Sequence, residues 1–362
     1  MSSTGATLSG SFEGATGTIS KTGFKYGTVS GSLNQDICTA GSSTPFSETL
    51  TGLAAGTTYY YKAYVVEYNE STSSTEYRYG EELSFTTASA GYAASGWLEL
   101  PAISGSEDYV GWFYGSGSTA GTNRNYSYNY SYTWYASMWV AYPLCGTHKS
   151  GSASTSSWRY NPNIESSRQI KIVDKSYPTM YNASAYARGH QCPNASRKSD
   201  DQMNLQTYYS TNQTPQLQDK FNGSIWGALE GAVRGLVTSA TDTVYVVTGP
   251  AYRKAGGSES ITYLTGANGQ GANPASLPVP NYYWKAILKV KRNGAGNITS
   301  ASAIGFWFDH REYNTDTEHY YDFTVSVDQI EAWTGFDLFA NLPVALQTTA
   351  EANTSLDSFR DF

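Results

Sequence analysis

The first quarter of the chain alternates over short distances and shows no helical stripe. Thr57-Thr58-Tyr59-Tyr60-Tyr61-Lys62-Ala63-Tyr64-Val65-Val66 is a long β-prone run, introduced by the turn residues Gly52 and Gly56. Glu82-Leu83-Ser84-Phe85-Thr86-Thr87 alternates and then stops. Strands parted by turn signals predict a small all-β sandwich over residues 1–88. The small residues at 89–96 predict a linker. Further on, Trp139-Val140-Ala141-Tyr142, Thr243–Thr248 and Tyr282–Val290 read as buried strands. The period changes near 215. Thr214-Pro215 offers an N-cap and a first-turn proline, and Leu217, Phe221, Ile225, Leu229 and Val233 recur every four residues. That spacing predicts a helix to about 236 with one buried face. Gly223, Gly227, Gly231 and Gly235 form a second row in it. Each glycine costs about 1 kcal/mol against alanine, so the row predicts something packing closely on that face. A last helix is expected near Val327–Trp333. Strands and helices mixed with long irregular connections predict an α+β fold for residues 97–362.

Composition adds the tyrosines: 31 of them stand beside 35 glycines, which favours strands and tight turns. The stretch Asn123–Tyr135 is biased in this way but runs into a good strand, so it reads as ordered. The net charge of −7 does not mark a nucleic-acid binder. Its distribution changes the picture. Residues 1–90 hold 4 basic and 8 acidic side chains, residues 91–234 hold 11 and 9, and residues 235–362 hold 8 and 13. The middle stretch alone is positive. Three cysteines, Cys38, Cys145 and Cys192, form no disulfide framework and no zinc pattern. Cys145 and Cys192 are a candidate pair if both lie in the core sheet. No apolar stretch approaches the roughly 20 residues of a membrane span, and no signal segment is present in this chain.

The chemistry concentrates in that positive stretch. Tyr186-Ala187-Arg188-Gly189-His190-Gln191-Cys192 places an arginine and a histidine about a glycine, where the backbone can turn and both side chains can enter one pocket. Thr211-Asn212-Gln213-Thr214-Pro215-Gln216 follows, then Asn222, Trp226, Glu230 and Arg234. Phosphodiester hydrolysis needs a base, a cation for the growing charge, and donors that hold the phosphate in line. His190 suits the base, Asn222 offers a neutral oxygen suited to Mg²⁺, and Arg188 and Arg234 suit phosphate oxygens. On an α-helix, Glu230 stands about 12 Å and about 80° from Asn222, so it is expected to act on the waters around the ion, not on the ion itself.

These segments resemble the DNA/RNA non-specific endonucleases of the ββα-metal superfamily, the family of the Serratia nuclease and endonuclease G. The Asp-Arg-Gly-His motif corresponds to Ala187-Arg188-Gly189-His190, and the Ser-Asn-x-x-Pro-Gln element to Thr211 through Gln216. The Asn-x-x-x-Trp-x-x-Leu-Glu helix corresponds to Asn222 through Trp226 to Leu229-Glu230. Trp139–Tyr142, Val246–Pro250, Val279-Pro280 with Tyr283-Trp284-Lys285, and Ser326–Glu331 with Thr334-Gly335 and Asn341-Leu342-Pro343 follow the family's order. The resemblance implies a ββα-metal site on a central, mostly antiparallel sheet. It implies His190 as general base, Asn222 as the protein ligand of Mg²⁺ (Mn²⁺ as the alternative), Arg188, Asn212 and Arg234 as phosphate or transition-state contacts, and Glu230 as a partner of the surrounding waters. DNA and RNA are the implied substrates, with 5′-phosphate and 3′-hydroxyl products. Residues 1–88 resemble a fibronectin type III domain through Leu50–Tyr59 and Ser84-Phe85-Thr86-Thr87, which suggests a spacer or a cell-surface or glycan contact through tyrosines.

Two positions depart from the family. Ala187 stands where it has an aspartate. Its upstream arginine has no clear counterpart: Arg159, beside Trp158, is near, but aligning the tryptophans puts Ser156 at that position. The alternative reading is therefore a weak or inactive nuclease fold serving as a surface-binding module, and a third is a toxin nuclease. Each site residue also has a structural alternative: a bonded core histidine, a turn asparagine at 212, an ion-paired Arg188, or a surface pair of Glu230 and Arg234. Asp309-His310-Arg311-Glu312 reads as a solvated loop. The setting expected is exported: medium, cell surface or periplasm.

Overall fold

A computed structural model of the protein describes residues 5–51, 53, 57–86, 96–116, 123–240 and 242–362. The expected linker lies outside the described residues except for Gly96, as do Gly52 and Gly56. The chain divides into two compact units, residues 1–95 with 104–106, and residues 96–103 with 107–362.

The first unit is all-β: β1 (Gly5–Gly10), β2 (Thr18–Gly27), β3 (Gln35–Ala40), β4 (Phe46–Thr51), β5 (Thr58–Asn69), β6 (Ser74–Tyr79) and β7 (Leu83–Thr86). β1 pairs with β4, and a second sheet runs β3-β2-β5-β6 with β7 also on β5. Alternate residues of both sheets, among them Leu8, Phe24, Phe46, Leu50, Tyr59, Val65 and Phe85, form its core. The other faces are polar or tyrosine-bearing.

The second unit is built on seven antiparallel strands in the order β18-β17-β16-β13-β10-β9-β8. These are β8 (Tyr109–Tyr114), β9 (Arg124–Ser131), β10 (Ala136–Cys145), β13 (Thr243–Ala251), β16 (Tyr282–Arg292), β17 (Ile298–Asp309) and β18 (Thr324–Val325). The tyrosine-rich stretch is β9, where Tyr126, Tyr128 and Tyr130 are buried. Two ribbons stand off the sheet: β11 (Tyr186–His190) with β12 (Gln213–Leu217), and β14 (Thr262–Thr265) with β15 (Ser276–Val279). Short helices α1 (Gly146–Lys149), α2 (Tyr177–Tyr181) and α3 (Asp201–Gln206) lie in the connections.

The main helix departs from the expected one. Gln213–Leu217 is strand, with Pro215 opposite Arg188, and Thr214 Oγ is hydrogen-bonded to Tyr283 Oη at 2.9 Å instead of capping a helix. Helix begins at Gln218, as a π-helix over Gln218–Trp226 that continues as α4 (Gly227–Gly235). The four-residue stripe is real: Phe221, Ile225, Trp226, Leu229 and Val233 pack against Val140, Tyr142, Val246, Ile287, Ile304 and Phe306. A strict four-residue period drifts by roughly 40° per step on an α-helix. The wider i→i+5 turn takes up part of that drift. The glycine row is not a packing face. A Cβ at Gly223 or Gly227 would meet the carbonyl oxygen five residues back, at 3.1 Å and 3.0 Å, and nothing lies within 4 Å of the Cβ position at Gly235. Glycine at 223 and 227 eases the π-winding.

The opposite face of the sheet carries α5 (Val327–Thr334) and α6 (Val344–Glu351) against β17, while Phe359 of α7 (Leu356–Asp361) joins the core under the π-helix. Ser326 caps α5 through Gln329 N, and Gly335 closes it in the left-handed region. Gly305 allows the approach: a Cβ there would lie 2.7 Å from Ile330 Cδ1. None of Cys38, Cys145 and Cys192 is disulfide-bonded, so the candidate pair is not formed; Cys192 is buried, and Cys145 ends β10. No helix among the described residues is long and apolar enough to cross a membrane.

Candidate active site

β11 and β12 pair antiparallel with His190 opposite Gln213 and Arg188 opposite Pro215. Side chains alternate along a strand, so Arg188 and His190 share one face while Ala187 and Gly189 take the other. Gly189 is required there: a Cβ would lie 2.2 Å from the Gln216 side chain. The ribbon is tied to β10. Gln191 Nε2 donates to Ser137 O at 2.8 Å, and Ser137 Oγ donates to Thr211 O at 2.6 Å. β12 runs directly into the π-helix, so strand, strand and helix follow one another about the site.

His190 sits between two rings. Trp158 and Tyr208 each have their ring centre 4.8 Å from the imidazole. Its Nε2 is buried with no hydrogen-bond partner. Burial, and then the charge of Arg188, push its pKa down to about 4, so the ring is neutral at pH 7. The Arg188 guanidinium lies 5.0 Å from the Trp158 ring centre, and Nη1 donates to Ile172 O at 3.0 Å, leaving further N–H groups for an anion. Trp158 reaches this place because Arg159 N donates to Tyr208 O and Ser210 N donates to Arg159 O, a short bridge beside β12. Arg159 is thereby held next to the site.

Asn222 lies on the π-helix, where its Nδ2 donates weakly to Gln218 Oε1 at 3.3 Å and leaves Oδ1 as a hard acceptor. The slower turn of this segment narrows the offset between Asn222 and Glu230 that an α-helix would impose. Glu230 is joined to Arg234 at 4.0 Å. Burial raises the Glu230 pKa, opposed by Lys285, Arg234 and a Trp226 hydrogen bond. Lys285 is fully buried, 4.7 Å from the Trp226 ring centre, and its Nζ has no hydrogen-bond partner. Burial lowers its pKa and Glu230 opposes that. Sequence gave Lys285 a place in a motif but no role, because nothing in its neighbours announces an ammonium under a helix.

Asn212 differs from the expected phosphate contact. It is fully buried, and its side chain accepts from Cys192 N and donates to Cys192 O and Thr207 O at 2.8–2.9 Å. These bonds hold the turn after His190. His310 is also corrected. It is not in a solvated loop: Nε2 accepts from Leu217 N at 3.0 Å, Nδ1 donates to Pro280 O at 2.9 Å, and burial lowers its pKa to about 4. It pins the end of β12.

A two-stranded ribbon and helix set on an antiparallel sheet define a ββα nuclease architecture. A solved structure titled for the EndoG/EndoGI complex shares the fold, with a TM-score of 0.51 at 21% identity over 68% of this chain and 90% of that one. A family profile described as DNA/RNA non-specific endonuclease matches residues 109–345, and the chain belongs to that family. A nuclease of a Nostoc species is 29% identical over 229 residues, 58% of this chain and 75% of its own length. The Serratia marcescens nuclease is 31% identical over 216 residues, 59% and 72%. The chain spans about half of the mitochondrial nuclease of Saccharomyces cerevisiae, 49% of it at 31% identity.

Proposed function

We propose that the protein is a metal-dependent endonuclease that hydrolyses phosphodiester bonds of both DNA and RNA, leaving 5′-phosphate and 3′-hydroxyl ends. The observation that carries this reading is the His190 imidazole, held neutral at pH 7 on the face of β11 that also presents Arg188. A neutral imidazole can take a proton from attacking water at its unprotonated ring nitrogen. The arriving phosphate anion offsets the charge of Arg188 and so favours the imidazolium that forms. Arg188 and Arg234 orient the phosphate.

The donor set fits a hard divalent cation: Asn222 Oδ1 would hold it, and Glu230, paired with Arg234, would order the waters around it. Such an ion, Mg²⁺ or Mn²⁺, supplies charge stabilisation at the phosphate and leaving oxygen. Grip on the sugar-phosphate backbone explains the indifference to base and sugar. Matched DNA and RNA oligonucleotides, cut in Mg²⁺ and then tested for religation, check the reading; cleavage of one polymer only, or ends that a ligase rejects, would reject it.

The first unit is read as a fibronectin type III-like module for surface or glycan contact. Tyr77 and Tyr79 on β6 are each 52% exposed and stack at 6.2 Å, a flat aromatic platform of the kind that receives sugar rings. The role proposed is digestion of nucleic acid outside the cell. Cell fractionation that finds the protein in the cytosol would exclude it.

A further inference from the structure

A second group of ligating side chains lies on the α5/α6 face of the sheet, away from the catalytic helix. Alternation along β17 separates the two faces: Ile304, Phe306 and Phe308 join the core under the π-helix, whereas Gly305 faces Ile330 of α5. Asp328 and Glu331 on α5 and Glu351 at the end of α6 each present an oxygen, and these oxygens all lie within 4.8 Å of one another. Two oxygens bound to one Ca²⁺ at about 2.4 Å can be no more than about 4.8 Å apart, a condition that every pair in the group meets.

Proximity of acids alone would not decide this. Glu351 supplies the independent observation. It is only 6% exposed, and its Oε1 is buried without any hydrogen-bond partner. It is also the last residue of α6, where the helix dipole opposes an anion. Every charged neighbour acting on Glu351 is another acid: Glu331, Asp328 and Asp337. Burial and these like charges raise Glu351 to about 8; burial, opposed by a hydrogen bond from Leu338 N and aided by Asp337 and Asp328, raises Glu331 to about 7. An unpaired buried carboxylate among carboxylates calls for a cation or for protons.

We propose that Asp328, Glu331 and Glu351 form a structural site for one divalent cation, Ca²⁺ by its all-oxygen, irregular ligand set, which fastens α6 to α5. Mg²⁺ fits less well, because it demands a near-octahedral shell.

The test uses the full chain, stripped with chelator and dialysed at pH 8, with CaCl₂ titrated by calorimetry and thermal unfolding. One equivalent should bind to the Asn222→Ala chain, and the wild-type Tm should rise by on the order of 5 °C at a hundredfold excess over Kd. Asn222→Ala should keep this rise, separating it from the catalytic ion. Glu351→Gln and Asp328→Asn should each weaken binding by at least about tenfold. Asp328 is exposed, so its variant decides the matter if Glu351→Gln fails to fold. No rise in the wild type, a rise lost in Asn222→Ala, or unchanged affinity in Asp328→Asn overturns the site.

Discussion

The imidazole of His190 and the indole of Trp158 lie 4.8 Å apart, and the same indole carries the Arg188 guanidinium at 5.0 Å. One side chain thus sets the spacing between the proposed base and the proposed phosphate donor. Trp158→Ala should lower kcat by roughly 10- to 100-fold through misplacement, while the protein stays folded. Steady-state kinetics beside thermal unfolding separate the two effects, and an unchanged kcat would contradict the relationship.

Gly189 is fixed by contact, since a methyl group there would strike Gln216. Gly189→Ala should lose roughly 1–3 kcal/mol of stability and most activity. Gln216→Ala in the same chain should restore part of both. A double-mutant cycle in urea measures the coupling, and strict additivity would refute the steric account.

Ala187 occupies the family's aspartate position, yet it points away from Arg188 and His190. Ala187→Asp should change the cleavage rate by less than about tenfold. A gain of several hundredfold would show that the site had been crippled by the alanine.

Burial and Arg188 place His190 near 4, below its ordinary 6.5. A group with a depressed pKa is neutral over a wider range, so kcat/KM should show no acid limb from His190 at 6.5. The raised Glu230 is the group expected to set that limb, and Glu230→Gln should remove it. A limb at 6.5 that survives Glu230→Gln would refute the burial argument.

Stability has its own pH dependence. Glu351 is raised from 4.5 to about 8 in the folded chain. Above 4.5 the unfolded chain releases this proton first, so stability falls as pH rises towards 8. Without added divalent cation, Glu351→Gln should raise Tm at pH 8.5 and leave it unchanged at pH 4.5. Equal effects at both pH values would contradict the shift.

Much of the site was legible because its residues sit close in sequence. Alternation about Gly189 and the buried stripe from Phe221 to Val233 both encode contacts that the structure makes. The helix start was not legible. Thr214-Pro215 has the composition of a cap, but Tyr283, nearly seventy residues away, takes the threonine hydroxyl and the Pro215 carbonyl and holds a strand. The glycine row predicts close packing, whereas only Gly223 and Gly227 meet a close neighbour, the carbonyl five residues back, in or next to a π-turn that no local pattern announces. Asn212, Trp158 and Lys285 take their roles from neighbours brought together by the fold, such as Cys192, His190 and Trp226.

The central claim is hydrolysis by His190 with a metal at Asn222. Its most direct test is digestion of supercoiled plasmid and total RNA by the wild type in Mg²⁺, by the wild type in EDTA, and by His190→Ala in Mg²⁺. The account predicts cleavage of both polymers in the first, none in the second, and a rate lower by about 10²–10⁴ in the third. No cleavage by folded wild-type protein in Mg²⁺ or Mn²⁺, or full activity in His190→Ala, would contradict it and leave the surface-binding module as the reading.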